Sequence, residues 1–161
     1  MIENRYTILC VCLGNICRSP VAEALLQKQI EQVESLKGII VDSAGTSGLH
    51  AGELPDPRTR KNALHHGIEL THRSRQIIEQ DFFTADLILA MDSQNLKDLR
   101  KLKPVDSTAR IQLITDYDPR KSDGVPDPYY QSEPAFEEVY KICERCAVEL
   151  VKELISQQNI Y

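Results

Sequence analysis

The chain has 161 residues, of which 42% are apolar and 27% are charged, and its net charge at neutral pH is -5. This length predicts one compact domain spanning residues 1–161 and excludes a two-domain enzyme. The composition is that of a globular protein rather than a disordered or fibrous one. The acidic balance argues against general nucleic-acid binding, so a site for an anionic ligand must be a local concentration of donors.

Neither the N-terminal segment nor the cysteines indicate export. The apolar run at residues 8–13 is far shorter than the roughly 20 residues of a membrane helix, and no signal-peptide cleavage pattern follows it. The five cysteines are an odd set, which favours reduced thiols over a disulfide framework. We therefore predict a cytoplasmic protein with no membrane insertion, in which at least one thiol is available for chemistry.

The first third of the chain predicts two strands around one helix. The run Thr7–Cys12 is apolar and partly β-branched and is closed by Gly14, as in a buried strand. Pro20 begins a segment with apolar residues at helical spacing, which should pack on that strand. Residues 38–44 predict a second buried strand, and residues 45–57 carry the Gly and Pro of a loop.

Strands continue to alternate with helices in the middle of the chain. A helix is predicted from Pro57 or Arg58 to His66, and residues 85–91 form the clearest interior strand. A helix over residues 93–101 and a shorter strand over residues 111–114 follow. Apolar strands separated by helices are typical of a parallel sheet that helices cover on both faces.

The last third divides into a loop and a long helix. Residues 115–134 are rich in Asp, Pro, Gly and Tyr without any period, and a loop of about 20 residues in a small domain is usually functional. A C-terminal helix should then cover the sheet. Its buried face is predicted to comprise Phe136, Val139, Tyr140, Cys143, Ala147, Leu150 and Leu154.

The segment from Cys12 to Pro20 lies between the first strand and the first helix. In α/β sheets ligands bind at the carboxyl ends of strands, where a helix N-terminus offers unpaired N–H groups to an anion. With Gly14 easing the turn, the loop from Cys12 to Arg18 can curl its amides around a tetrahedral oxyanion. The same donors would stabilise a Cys12 thiolate, Ser19 could donate to the sulfur, and Arg18 could grip two phosphoryl oxygens.

Other interpretations of this segment are weaker. It lacks the Gly-Lys-Ser/Thr ending of a nucleotide-binding loop, so nucleoside triphosphate binding with magnesium is disfavoured. A cysteine is also among the most often buried residue types. The strand, glycine and helix start around Cys12 favour the nucleophile over a packing thiol.

A leaving alkoxide or phenolate needs a proton, so a carboxylic acid should face the loop. Three Asp-Pro pairs, at Asp56, Asp118 and Asp127, lie in predicted loops, where such an Asp is usually a turn former. The adjacent Tyr129 and Tyr130, which could flank an aromatic substrate, favour Asp127 only weakly. The residues alone leave this choice open.

Five segments in this order resemble the low-molecular-weight protein tyrosine phosphatases over nearly the whole chain. They are Cys12 to Pro20, Asp42-Ser-Ala-Gly45, Pro55-Asp-Pro-Arg58, Ala90-Met-Asp92 and Asp127-Pro-Tyr-Tyr130. The resemblance implies a single three-layer α/β domain with a four-stranded parallel sheet flanked by helices, and a phosphate-binding loop between strand 1 and helix 1. It further implies catalysis without metal or cofactor, through a phosphocysteine.

The resemblance also assigns roles to individual residues. Cys12 would be the nucleophile, Arg18 the clamp on the transition state, and Asp127 the general acid that later activates water. The phosphate-binding loop would further comprise Leu13, Gly14, Asn15, Ile16, Cys17 and Ser19. A hydrogen-bond network of Asn15, Ser19, Ser43 and His72 would hold the loop in its anion-ready shape.

The substrate cleft implied by the resemblance is walled by Leu13, Leu49, His50, Tyr129 and Tyr130. Leu49 departs from the family pattern, since many relatives carry an aromatic residue there, and this reduces stacking on a phosphotyrosine ring by about 0.5–1.5 kcal/mol. Bacterial relatives that act on phosphoarginine carry Thr in place of Ile16. The bulkier apolar residue here favours phosphotyrosine.

The remaining cysteines have different expected roles. Cys17 lies in the loop, and the resemblance suggests that it pairs with Cys12 on oxidation, against the alternative of a packed thiol. Cys143 and Cys146 supply only half of a structural zinc site and fall on or beside the buried face of the predicted helix. Together with Cys10, they are expected to be packing thiols.

The sequence therefore predicts an enzyme that hydrolyses protein phosphotyrosine and small aryl phosphates. Its partners would be phosphotyrosine proteins or peptides, with phosphate, vanadate or similar oxyanions as inhibitors. An arginine phosphatase of the same fold is the main alternative. A thiol-dependent arsenate reductase ranks lower, because no relay cysteine occurs between Cys17 and Cys143. A non-catalytic phosphate-binding module is disfavoured by the complete catalytic set.

Overall fold

The computed structural model describes residues 6–158, which fold around a four-stranded parallel sheet. The strands are β1 (Thr7–Cys12), β2 (Ile40–Gly45), β3 (Leu87–Ala90) and β4 (Arg110–Leu113). Their order across the sheet is β2-β1-β3-β4, with β1 paired to both β2 and β3. This architecture confirms the predicted fold class.

The apolar runs of the strands follow from burial on both faces. On β1, Ile8, Cys10 and Cys12 belong to the larger core cluster, whereas Leu9 and Val11 point into a smaller one on the opposite face. A strand covered on both sides has no solvent face, so its sequence shows no alternation of polar and apolar residues.

Residues 6–158 form five helices around the sheet. α1 and α5 pack together over the larger core cluster, and α4 covers the smaller one. None of the helices within the described residues is both long enough and apolar enough to cross a membrane. The helices are α1 (Ser19–Glu31), α2 (Pro57–His65), α3 (Asp81–Thr84), α4 (Ser93–Leu102) and α5 (Glu133–Gln158).

The structure corrects the prediction at several places. Helix α3 and two 3-10 turns, Glu34–Leu36 and Ile114–Tyr117, were not predicted, because segments this short show no periodicity. The predicted loop 115–134 is wrong at both ends, since a 3-10 turn occupies its start and α5 already begins at Glu133. The residues between these two elements are the irregular segment that the composition predicted.

The carboxyl ends of the strands meet at one edge of the sheet. The register pairs Cys12 with Gly45 and Val11 with Ala90, so the last residues of β1, β2 and β3 lie side by side. This edge is where parallel sheets bind ligands. The topology thus brings the Cys12 loop next to the segments that follow β2 and β3.

The cysteines outside the loop lie in the interior. Cys10, Cys143 and Cys146 are fully buried in the larger core cluster, and burial raises the pKa of each thiol. In Cys146 the pKa rises to about 12. These thiols pack as small apolar groups and stay protonated at neutral pH.

Candidate active site

The loop that joins β1 to α1 places a backbone amide and a hydroxyl against the Cys12 sulfur. Cys12 Sγ accepts a hydrogen bond from the Asn15 backbone N–H at 3.3 Å and lies 3.1 Å from the hydroxyl oxygen of Ser19, the first residue of α1. A Cβ at Gly45 would lie only 2.7 Å from the Leu13 carbonyl oxygen. Glycine at the end of β2 therefore allows the loop to lie directly against the sheet edge.

Asn15 is the centre of a buried hydrogen-bond network. Its amide nitrogen donates to the hydroxyl oxygens of Ser19, at 2.8 Å, and Ser43, at 3.0 Å. Its amide oxygen accepts the backbone N–H of Arg75 at 3.0 Å and lies 3.0 Å from His72 Nε2. The four side chains that the resemblance assigned to this network are thus in contact, and a backbone amide completes it.

The strained residue of the loop is Asn15 rather than Gly14. Asn15 has a φ of 57°, in the left-handed region, whereas Gly14 is not among the residues with positive φ. Gly14 therefore does not supply the left-handed backbone conformation of the turn. Asparagine tolerates this conformation better than most residues, and the hydrogen bonds to its amide offset the strain.

Ionisable side chains contact the outer members of this network. The Ser43 hydroxyl donates to Glu23 Oε1 at 2.7 Å, and His72 Nδ1 lies 3.3 Å from the same oxygen and 3.7 Å from Asp42 Oδ1. Burial raises the pKa of Glu23 to about 7 and lowers the pKa of His72. Burial therefore disfavours the charged form of both side chains near neutral pH.

Glu23, Asp42 and His72 are also the cluster among residues 6–158 whose donor atoms are close enough to hold a cation, all within 4.8 Å. These atoms already have protein partners: Ser43 bonds to Glu23, and Arg75 Nη2 lies 2.9 Å from Asp42 Oδ2. Arg75 thus already supplies a positive charge beside Asp42. The cluster therefore fits a structural network better than a metal site.

Arg18 lies buried at the base of the loop, with 3% of its side chain exposed. One guanidinium nitrogen donates to Asp92 Oδ2 at 2.6 Å and to the Val125 carbonyl oxygen at 3.0 Å. Burial alone would lower its pKa, but the charges of Cys12 and Asp92 outweigh burial and raise it. Arg18 is thus a permanently charged fork held in one orientation.

Asp92 was not assigned a role from the sequence. Its Oδ1 accepts the backbone N–H of Asn95 and so caps α4, while its Oδ2 holds Arg18. An aspartate directly after the clearest buried strand and before a predicted helix is a detectable signal, because such a residue lies at the ligand-binding edge of the sheet. That position could have identified it.

The three Asp-Pro pairs occupy different places. Asp56 caps α2 and pairs with Arg58, and Asp118 is buried against Arg145. Asp127 lines the cleft above Cys12, has 46% of its side chain exposed and lies 3.8 Å from Arg18 Nη2. Of the three, Asp127 is the carboxylate that faces the loop.

A cleft of about 240 Å³ opens above the loop. Its rim is apolar and exposed, with Leu49 81% and Tyr130 90% exposed. Ser47, which the sequence analysis did not name, contributes a polar atom, whereas Asn15, Ser19, Ser43 and His72 lie behind the cleft. The lining residues are Cys12, Leu13, Gly14, Ile16, Cys17, Arg18, Ser47, Leu49, His50, Asp127, Tyr129 and Tyr130.

Cys17 and Ile16 line the cleft and also pack against other elements. Together with Phe136 from α5 they form a small buried cluster, and Tyr129 packs against it. Burial raises the pKa of Cys17 to about 12. Its thiol is therefore protonated at neutral pH, and the cluster joins the loop around Cys12 to the segment that carries Asp127.

Comparison with known proteins gives one consistent result. A family model described as low molecular weight phosphotyrosine protein phosphatase matches residues 7–159. The human protein of that name is 46% identical over 142 residues, which cover 87% of this chain and 90% of the human protein.

Two solved structures extend the comparison. The crystal structure of a protein tyrosine phosphatase from Entamoeba histolytica has a TM-score of 0.90 and 37% identity, and the match covers 95% of this chain and 99% of that one. The structure of a Drosophila arginine phosphatase has a TM-score of 0.86 and 32% identity, with 91% of this chain and 96% of that chain covered. The chain belongs to the low-molecular-weight phosphotyrosine protein phosphatase family and is an enzyme.

Proposed function

We propose that the enzyme hydrolyses phosphotyrosine in two steps through a phosphocysteine on Cys12. The Cys12 thiolate attacks phosphorus, the bond from phosphorus to the phenolic oxygen breaks, and Asp127 gives its proton to the leaving oxygen. Asp127, now ionised, takes a proton from water, and that water displaces the sulfur to release inorganic phosphate. Protons balance over the cycle, and the thiolate is regenerated.

The observation that carries this proposal is the placement of three groups around one cleft. Cys12 lies at its base with a backbone N–H and a hydroxyl on its sulfur, and Arg18 lies beside it, 3.8 Å from the Asp127 carboxylate across the cleft. The amides and Arg18 would gain strength as charge spreads over the equatorial oxygens in the transition state. Donation from Ser19 would stabilise the sulfur as a leaving group in the second step.

The cleft supports an aromatic substrate. Tyr129 and Tyr130 pack edge to face, with ring centroids 4.8 Å apart, and line the cleft together with Leu49 and His50. A flat ring can stack between apolar walls of this kind. Ile16 narrows the cleft with an apolar side chain where a hydroxyl would suit a guanidino group.

Phosphoarginine is the second candidate, because a similar structure is that of an arginine phosphatase. We expect the wild type to hydrolyse a phosphotyrosine peptide faster than the matching phosphoarginine peptide, measured as kcat/KM. Ile16→Thr should shift the ratio towards phosphoarginine. Equal rates for the two peptides in the wild type would reverse the assignment.

The mechanism is tested with an aryl phosphate in the presence of a chelator. Cys12→Ser should lose activity by roughly 10⁴-fold or more, because the nucleophile is gone. Asp127→Ala should lose roughly 10²–10⁴-fold and should also lose the basic limb of the pH profile. A requirement for added metal, or full activity of Cys12→Ser, would overturn the mechanism, and rapid acid quench of the wild type should trap phosphate on Cys12.

We further propose that the enzyme acts on phosphoproteins in the cytoplasm. Its five cysteines are all unpaired and buried, as expected of a chain that folds in a reducing compartment. Phosphate and vanadate should inhibit competitively by occupying the loop that holds the phosphoryl group.

A further inference from the structure

Arg58, in the first turn of α2, links the two loops that border the cleft. Its Nε donates to Asp56 Oδ1 at 3.0 Å and its Nη2 to Asp56 Oδ2 at 2.9 Å. Its carbon Cζ lies 4.7 Å from the centroid of the Phe136 ring and 5.5 Å from that of the Tyr129 ring. Nη1 makes a longer contact, of 3.4 Å, with the Gln131 carbonyl oxygen.

Asp56 fixes this guanidinium relative to the phosphate-binding loop. The Asp56 side chain is 7% exposed, and its backbone N–H donates to the Ile16 carbonyl oxygen at 2.9 Å. Burial alone would raise the pKa of Asp56, but its hydrogen bonds to Arg58 outweigh burial and lower that pKa. Arg58 therefore rests on a charged, immobile carboxylate that is tied to the loop around Cys12.

The other side of Arg58 contacts the segment that carries Asp127. The Tyr129 ring packs on the guanidinium, and the Tyr129 backbone N–H donates to Asp127 Oδ1 at 3.1 Å. Among residues 6–158, the Asp127 carboxylate has one other polar contact, with Arg18 Nη2 at 3.8 Å. The orientation of this half-exposed carboxylate thus depends on where the Tyr129 backbone lies.

We propose that Arg58 is a positioning residue, which holds Tyr129 and thereby orients Asp127 for proton donation to the leaving oxygen. The proposal rests on the acid role of Asp127 given above. A planar guanidinium suits the task, because it can pack on two rings while its edge donates two hydrogen bonds to one carboxylate. A lysine ammonium offers neither the plane nor the fork.

A residue that acts through the general acid should matter most when the leaving group is basic. A nitrophenolate leaves readily without a proton, whereas an unsubstituted phenolate needs one. Arg58→Met should therefore lower kcat/KM roughly tenfold for phenyl phosphate and less than about threefold for p-nitrophenyl phosphate. Competitive inhibition by inorganic phosphate should be unchanged, because the loop around Cys12 is intact.

The experiment measures kcat/KM for a series of aryl phosphates with wild type, Arg58→Met, Arg58→Lys, Asp127→Ala and the double variant Arg58→Met/Asp127→Ala. Arg58→Lys keeps a positive charge beside Asp56 and protects against loss of folding, yet it should show the same dependence on the leaving group. The double variant should lose no more than Asp127→Ala, since Arg58 acts through that residue. Arg60→Met is the matched control, because Arg60 lies on the same helix and its side chain bonds only the Pro55 carbonyl oxygen among the described residues.

Three results would overturn the proposal. The first is wild-type rates for both Arg58 variants. The second is an equal loss on all substrates together with weaker phosphate inhibition, which would indicate a structural role. If Asp127→Ala showed no dependence on the leaving group, the acid role of Asp127 would fail and the role of Arg58 with it. Loss of turnover in Cys12→Ser would still establish the nucleophile in that case, so the two failures are distinguishable.

Discussion

The two loops that form the site are held in different ways. The loop from Cys12 to Arg18 is short and buried except at Leu13 and Gly14. Asn15 at its centre is held by the Ser19, Ser43 and His72 side chains and by the Arg75 backbone N–H.

The acid-bearing segment, residues 118–131, is longer and exposed at Asp127. It is anchored at Asp118, at Val125, whose backbone bonds to Met91 and Arg18, and at the Gln131 carbonyl oxygen. The comparison indicates a fixed loop around Cys12, which we call the anion cradle, and an exposed acid held between anchors on either side of it.

The largest loss of activity should follow a substitution in the anion cradle. Arg18→Lys keeps the charge but loses the fork that spans Asp92, Val125 and the phosphoryl oxygens, so we expect kcat to fall roughly 10³-fold. Steady-state kinetics with p-nitrophenyl phosphate measure this loss. Arg73→Lys, an exposed position that bonds a backbone carbonyl, is the control and should keep full activity.

Loss of the ion pair between Asp118 and Arg145, which anchors the acid-bearing segment, should lower the stability of the fold. Arg145→Met leaves the Asp118 carboxylate, whose side chain is fully buried, without its cation, and we expect a loss of about 3–5 kcal/mol in the free energy of unfolding at pH 7. Lys152→Met, on the same helix but in an exposed pair, should cost less than about 1 kcal/mol. Urea denaturation compares the two variants.

This loss should also depend on pH. Hydrogen bonds from Arg145 lower the pKa of Asp118, so the carboxylate stabilises the fold above its unfolded pKa of about 4 and ceases to do so as it becomes protonated in acid. The difference between wild type and Arg145→Met should therefore shrink at low pH. A difference that stays constant with pH would contradict this account of the ion pair.

Burial of Glu23 beside the anion cradle should make the free energy of unfolding depend on pH. Burial raises its pKa from 4.5 to about 7, so between these values the folded protein binds more protons than the unfolded chain. Stability contributed by this group therefore falls as pH rises through that window, by up to about 3 kcal/mol. Glu23→Gln should remove this slope in urea denaturation measured at several pH values.

Other ionisable groups beside Glu23 also contribute to the pH dependence of stability. His72, Asp42 and Arg75 also face Glu23, and burial lowers the pKa of His72, which gives a slope of opposite sign. The difference between variant and wild type isolates the Glu23 part. Glu34→Gln, at an exposed position, should leave the pH profile unchanged, and an unchanged profile in Glu23→Gln as well would exclude the role of burial.

A smaller difference in stability, between two variants of Asn15, should distinguish backbone strain from hydrogen bonding in the anion cradle. Asn15→Ala and Asn15→Gly both remove the amide that bonds Ser19 and Ser43, but only alanine must keep a side chain at a φ of 57°. We expect alanine to be less stable than glycine by about 1 kcal/mol, with both less stable than wild type. Thermal and urea unfolding measure this order, and equal stability of the two variants would mean that the loop carries no strain.

The smallest effect on the resting enzyme concerns Cys17. We expect Cys17→Ser to keep wild-type activity but to recover less of it after treatment with peroxide and then dithiothreitol, because the Cys12 sulfenic acid would lack a thiol partner. Burial raises the pKa of Cys17 to about 12, so the disulfide should form slowly. Equal recovery in the two proteins would argue for a packing role alone.

The sequence by itself determined the parts of this protein that are local in the chain. The apolar runs predict the strands, and the short spacing from Cys12 to Arg18 predicts an anion loop at a helix start, because β1, the loop and α1 are consecutive. The family resemblance extends this to the assigned roles. Asp92 belongs to one of the segments that resemble the family, but neither the resemblance nor the local pattern gave it a role, although its place after β3 and before α4 is a usable signal.

Tertiary structure alone decided the long-range relations. Which of the Asp-Pro aspartates faces Cys12 depends on the packing of residues 118–131 over β3, and no local pattern encodes that packing. The left-handed conformation falls on Asn15 instead of Gly14 because contacts from distant residues offset its strain. Arg58 shows the same principle, since its neighbours Tyr129 and Phe136 lie more than 70 positions away in the chain and meet it only when α2 and α5 pack together.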